Sequence, residues 1–225
     1  MEQPIPRDDL SELPLFPLNV VLFPGMRLPL HIFEERYKAM IGDCVRRETP
    51  FGVVLIKDGP EVGGPAEPHR MGTAARVTQV QELQEGRLNI LTRGERRFEV
   101  IEVVQQVPHL VGLVRYVAED TGEIAPDLLT GITQEYAAFL RHLSTLAGGW
   151  NAPVNITEDP LQLSFDAVTT LTSSIELPQG LRQELLETPH AQARLDKLLP
   201  LLKRANELIL EQVSQNNPYR GPRLN

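Results

Sequence analysis

Cysteine is nearly absent from this chain, concentrated positive charge is missing, and no apolar run is long. Cys44 is the sole cysteine, so no intramolecular disulfide can form, which suits a reducing cytosol. No window approaches the about 18 uninterrupted apolar residues of a membrane span. The start, MEQPIPRDDLSEL, has neither the basic opening nor the apolar stretch of a signal peptide. The expectation is a cytoplasmic protein with no membrane partner. Residues 1–118 hold 14 Lys/Arg against 16 Asp/Glu, and residues 119–225 hold 8 against 14, so the halves carry −2 and −6 of the net −8. That balance disfavours nucleic acid as a partner, because phosphate backbones are held by Lys and Arg displacing counterions.

The signatures of common chemistry are missing too. The GPEVGG run at 59–64 lacks the lysine of a phosphate-binding loop, and no such loop occurs elsewhere. Gly-x-Gly-x-x-Gly, Gly-x-Ser-x-Gly and His-Glu-x-x-His are all absent. His31, His69, His109, His142 and His190 do not pair at metal-ligand spacing, and Cys44 has no cysteine partner. None of Lys38, Lys57, Lys197 and Lys203 sits where burial or charge would activate it as a nucleophile. The sequence therefore points to no catalytic residue, no cofactor, no metal and no dependence on ATP. Arg93, Arg96 and Arg97 form the one basic cluster. Glu95 and Glu99 are interspersed there, which suits a salt-bridged strand end better than a nucleic-acid face.

What is present is a globular composition, 41% apolar and 23% charged over 225 residues, enough for one large domain or two small ones. Proline gathers in LPLFPLNVVLFPGMRLPLHIFEERY, residues 13–37. Two short extended pieces, around 18–22 and 26–30, flank Phe23-Pro24-Gly25, which has the residues of a type II turn. Pro14, Pro17 and Pro29 lack an N–H and fit strand ends or edges. Phe33, Tyr37, Met40, Ile41, Cys44 and Val45 then recur on one face of a helix, with Glu34 and Glu35 in its first turn and Arg46 and Arg47 in its last. That face places Cys44 in the core. FGVVLI at 51–56 reads as a buried strand, and 57–72 as a long Gly- and Pro-rich loop of the kind that is either functional or disordered. From Gly72, TAARVTQVQEL, RLNILTR, RFEVIEVVQQ and HLVGLVRYVAE read as strands split by QEGR and GER turns. Residues 13–118 thus predict about seven short strands and one helix, an arrangement of small barrels or curled sheets.

After Glu119 the periodicity becomes helical. Leu128, Ile132, Tyr136, Phe139, Leu140 and Leu143 share one face. Asp159-Pro160 offers a cap and first-turn proline for a second helix. Thr188-Pro189 repeats the device before a long helix, inside which Pro200 is expected to kink or interrupt the chain. Trp150 suits a plug at a helix junction or an anchor for a partner. The expected division is a barrel over 10–118 and a helical bundle over 119–215, with 1–9 and 216–225 frayed.

Several of these segments resemble the amino-terminal, substrate-binding domain of the Lon protease. The likeness rests on Leu13-Pro14-Leu15, Phe23-Pro24-Gly25, Leu28-Pro29-Leu30, Gly72-Thr73, Gly94 and Arg97-Phe98, and on the order and spacing of the helical half. It extends over roughly residues 12 to 213. The resemblance implies an α+β fold, a PUA-like small β-barrel with one early helix followed by a C-terminal helical bundle. It also implies a module that engages substrate proteins, with no catalytic residue to carry over. The ATPase and peptidase domains of that protease have no counterpart in the sequence, so a freestanding domain is expected. One departure is the last helix, whose pattern is broken by Pro200 and stops near Val213.

The leading expectation is a non-enzymatic module that binds unfolded or degron-bearing polypeptides, as an adaptor or modulator of proteolysis with a full-length ATP-dependent protease as partner. Its candidate contacts are Phe23, Pro24 and Gly25 at the corner, Phe33, Arg36 and Tyr37 at the helix start, and the 57–71 loop. Phe23, Phe33 and Tyr37 suit a core better than a binding surface. An RNA-binding PUA-like protein centred on the arginine cluster is one alternative. A small-molecule enzyme with a barrel pocket near His31 and Glu34 is the other.

Overall fold

A computed structural model describes residues 9–64, 66–146 and 155–215. Trp150 and the terminal segments 1–8 and 216–225 lie outside the described residues. The chain forms two compact units, Met1–Ala118 with Leu177–Glu187, and Glu119–Glu176 with Thr188–Asn225.

The first unit contains β1 (Leu10–Leu18), β2 (Arg27–Ile32), α1 (Glu35–Arg47), β3 (Phe51–Asp58), β4 (Glu67–Glu82), β5 (Leu88–Gln105) and β6 (Leu110–Tyr116). The sheet order is β2-β5-β4-β3-β1-β6, and β5 also pairs with β6, so the strands return on themselves. β1 and β3 run parallel, and every other pair is antiparallel. The ring is irregular rather than an evenly staggered barrel. Its long strands bend at register shifts, for example where Glu95 is skipped between Ala75↔Gly94 and Ala74↔Arg96. That bulge is why the expected GER turn is absent. β5 runs straight through it, and six strands form in place of seven. β4 likewise begins at Glu67, which shortens the expected 57–72 loop to 59–66.

The prolines are placed by pairing. The first extended segment lies earlier than 18–22, as β1. Residues 10–15 of β1 pair with β6 and residues 15–18 with β3, so Pro14 and Pro17 each sit in a half-strand with one partner. A missing N–H is tolerated there. The Phe23–Met26 turn closes through Met26 N–H to Phe23 O at 3.1 Å, with Gly25 at φ 81° as a type II turn requires. The corner then locks onto β5. Gly25 N–H donates to Gly94 O at 2.8 Å, and Gly94 N–H donates to Met26 O at 2.9 Å. A Cβ at Gly94 would lie 2.3 Å from Phe23 O. Thr73 Oγ1 donates to Leu22 O at 2.6 Å and Thr92 Oγ1 to Leu28 O at 2.9 Å, both buried.

FGVVLI is apolar throughout because both faces of β3 are covered. Phe51 and Val53 join the cluster of Phe16, Tyr37, Met40, Ile41 and Cys44 beneath α1, whereas Val54 joins Leu15, Phe98 and Val114 inside the ring. Of the predicted α1 face, Tyr37, Met40, Ile41 and Cys44 are buried, and Phe33 and Val45 are exposed. Phe33 precedes the helix, and Glu34 is its N-cap.

A helix absent from the sequence reading, α4 (Gln179–Glu187), belongs to this same unit. Gln183 Nε2 donates to Met71 O at 3.0 Å, and the fully buried Arg97 donates to Leu186 O in the last turn of α4. A cation there also complements the helix C-terminus.

The second unit holds α2 (Pro126–Leu146), α3 (Pro160–Ser174) and α5 (Ala191–Gln215). Ile132, Tyr136, Phe139, Leu163, Leu171, Leu195, Leu198 and Leu202 are its core. Asp159 caps α3, accepting from Leu161 N–H at 3.1 Å with Pro160 in the first turn. Thr188-Pro189 does not open α5. Residue His190 bridges Asp120, Ala191 N–H donates to Asp120 O at 3.0 Å, and the helix starts at Ala191. Pro200 lies inside α5, which continues through it uninterrupted.

Candidate peptide-binding cleft

The start of α1 and the 59–66 loop face each other across a cavity of about 400 Å³. Tyr37 projects from the first turn of α1 into the core, stacked on Phe16 at 4.0 Å between ring centroids. Burial pushes its hydroxyl above the ordinary tyrosine pKa, so it stays protonated. Arg36 lies over the same ring, 4.5 Å from its centre, and pairs with Glu34 at 2.9 Å. Glu34 also accepts from Gly63 N–H at 3.4 Å, which ties the loop to the helix start. The loop is held a second time by Asn19 Nδ2 donating to Glu61 at 2.8 Å, while Gln179 Nε2 donates to Asn19 O at 2.6 Å.

Pro17, Tyr37, Pro60, Pro68, Val103 and Leu110 give the cavity an apolar lining, and Arg36, Asp58, Glu61 and Glu67 bring charge to it. A second hollow of about 700 Å³, with more charged residues in its lining, shares Glu67, Pro68 and Val103 with the first and adds Lys57, His69, Arg70, Glu99 and Glu102. Together they supply apolar contact, fixed backbone and charges of both signs, which is what an extended polypeptide segment needs.

Of the residues singled out from sequence, Arg36 and Tyr37 line this cavity and the loop forms one wall. Phe23 is fully buried, Pro24 and Gly25 are half-buried at the corner on Gly94, and none of the three lines it. Phe33 is 47% exposed and stacks near His31, with ring centroids 6.0 Å apart. Val103 and Leu110 escaped the sequence reading. They reach α1 only because β6 pairs with both β1 and β5, and no local spacing encodes that closure.

The other candidates disperse. The arginine cluster splits three ways: Arg97 is buried against α4, Arg96 stacks on Tyr116 at 3.9 Å, and Arg93 faces Arg27 across β2 and β5. Glu95 and Glu99 pair with Arg76 and Arg115. His31 hydrogen-bonds Asn89 at 2.8 Å, while Glu34 is engaged by Arg36. Among the described residues no group of three or more His, Cys, Asp or Glu could hold a metal, and no helix is long and apolar enough to cross a membrane.

An irregular mixed sheet with an early helix and a lateral cleft, accompanied by a helical unit, defines an α+β module of the PUA-like kind. The chain belongs to the ATP-dependent protease La (LON) substrate-binding domain family, whose match spans residues 12–204. It is similar to Lon protease of Anaeromyxobacter dehalogenans, 28% identical over 208 residues, and to Lon protease 2 of Myxococcus xanthus, 29% identical over 209 residues. Each alignment covers 91% of this chain and 25% of the relative, so the chain spans about a quarter of the length of the curated relatives it matches. Among solved structures it resembles a Lon N-terminal domain protein from Xanthomonas campestris, with TM-score 0.64, 29% identity, and coverage of 84% of this chain and 98% of that one. The N-terminal domain of Lon protease from the Mycobacterium avium complex shares the fold at TM-score 0.62 and 19% identity, covering 86% of this chain and 98% of that one.

Proposed function

We propose that this chain is a polypeptide-binding module that recognises unfolded or degron-bearing proteins in the cytoplasm and contributes no bond-breaking chemistry of its own. In this reading it acts as an adaptor or modulator of proteolysis, with an ATP-dependent protease as partner. The observation that carries the proposal is the cleft beside α1, with an apolar lining and charged rim, tied down by Glu34 and Asn19. Arg36 and Tyr37 contact the bound segment directly. The exposed Phe33 extends the apolar surface at the helix start, and the Phe23-Pro24-Gly25 corner offers its half-buried rim. Membership of the substrate-binding family supports the same reading.

Photo-crosslinking tests it. A permanently unfolded polypeptide carrying a photoreactive group should label the 59–66 loop and the Leu110 region, and a folded version of the same protein should label neither. Equal labelling by the two forms counts against the proposal.

A further inference from the structure

We propose that the free flank of β4 over Thr78–Glu82 is a strand-addition site, where an extended apolar peptide segment takes the place in the sheet that β3 vacates at Phe51. This deepens the polypeptide-binding reading and rests on it. β4 pairs with β5 through Glu82, but with β3 only from Glu67 to Ala75. Among the described residues, no strand occupies the β3 side of β4 beyond Ala75. The reason lies in the chain before β3. Glu48 ends α1 in the left-handed region, φ 54°, Thr49 N–H returns to Cys44 O at 3.0 Å, and Pro50 leads into β3. The polypeptide thus turns out of the sheet one residue before Phe51, and the slot continues without it.

A cavity of about 360 Å³ occupies that slot. It is lined on one side by Cys44, Val45, Glu48 and Thr49, and on the other by Arg76, Val77, Thr78, Gln79 and Val80, with Arg76 donating to Glu48 O between the two sides. Successive strand residues point to opposite faces. Here Thr78 is skipped between Val77↔Thr92 and Gln79↔Leu91, and the five consecutive residues 76–80 line one cavity along the strand's outer edge, where backbone N–H and C=O groups emerge. Thr78–Glu82 are all exposed, and none is proline. The opposite edge of this part of the sheet, β2, carries Pro29 instead, a residue that blunts an edge. Alternating unpaired donors and acceptors are matched in full only by another extended backbone. Val45 and Val80, 40% and 44% exposed, flank the slot and select apolar side chains in the added segment.

Residue-resolved amide exchange on the full chain, with a reduced, carboxymethylated, permanently unfolded polypeptide as probe, decides the matter. Within 77–82, the amides that exchange freely in the chain alone are expected to slow about tenfold or more at saturating probe. Val45→Lys with Val80→Lys, both at exposed positions, should remove that slowing and leave photo-crosslinks near Leu110 in place. Slowing at 77–82 without crosslinks near Leu110 upholds the edge site and overturns the cleft. Crosslinks near Leu110 without slowing at 77–82 do the reverse. Absence of both overturns both readings. Slowing that needs no probe and grows with protein concentration overturns the peptide in favour of a second copy of this chain.

Discussion

Gly94 and Arg97 are the residues on which the first unit turns. Gly94 lets Phe23 O approach to a point 2.3 Å from where a Cβ would stand, and it exchanges two backbone hydrogen bonds with the corner. Gly94→Ala must push the corner off β5, at a loss of about 2 kcal/mol or more in the range of overpacked cores; a denaturant titration followed by far-UV signal checks it. His109 supplies the pH dependence. Burial holds its imidazole below the ordinary value of 6.5, and its buried Nδ1 has no hydrogen-bond partner among the described residues. The unfolded chain therefore binds the proton more readily than the folded one. This contribution is fully present above pH 6.5 and is lost as pH falls through the lowered folded value. The thermal midpoint should fall on acidification through that window, and His109→Leu should flatten the slope there. A slope unchanged in the variant contradicts the assignment. At this scale the sequence was legible where one residue type had one use. Gly25 in a Phe-Pro-Gly turn and Cys44 on an apolar helical face sit as their surroundings dictate. Arg97 was not legible, because an arginine between two glutamates reads as surface, and only the docking of α4 buries it.

Among the elements, periodicity identified α1, α2, α3 and α5, and an apolar run between turn signals identified β3; local signals failed where tertiary pairing overrode them. The Gly-Glu-Arg stretch has turn composition, yet β5 crosses it as a bulge because β4 continues alongside. Nine-residue α4 begins beside Pro178 and Gly180 and is too short to show a clear face. Its place with the strands follows from Gln183 and Arg97, not from its neighbours in sequence. α5 makes the opposite point. The expectation was a kink or an interruption at Pro200; the residue is exposed and the helix is not interrupted, being long enough to proceed around a lost hydrogen bond. Restoring the N–H with Pro200→Ala should stabilise the second unit by about 1–3 kcal/mol. A rise in its melting temperature is the expected sign, and no change would mean that the helix had already adapted fully to the ring.

Taken whole, the chain carries eight net negative charges and engages Arg96 and Arg97 with structural partners, so the proposed recognition rests on apolar contact and backbone rather than on a charged face. Phe-Pro-Gly, Gly-Thr and Gly94 were readable because these residues build the corner and its seat on β5, whereas Arg97 and Phe98 serve the docking of α4 and the inside of the ring. The cleft was half readable. Arg36, Tyr37 and the loop are local, whereas Val103 and Leu110 arrive through ring closure. The most direct measurement is the affinity of a fluorescently labelled, permanently unfolded polypeptide for the wild-type chain and for Leu110→Glu, at low and high salt. Measurable binding that changes little with salt, and that Leu110→Glu weakens about tenfold or more, is the predicted result. Equal affinity in the two proteins, or binding that collapses with salt as it does on a phosphate backbone, would contradict the account.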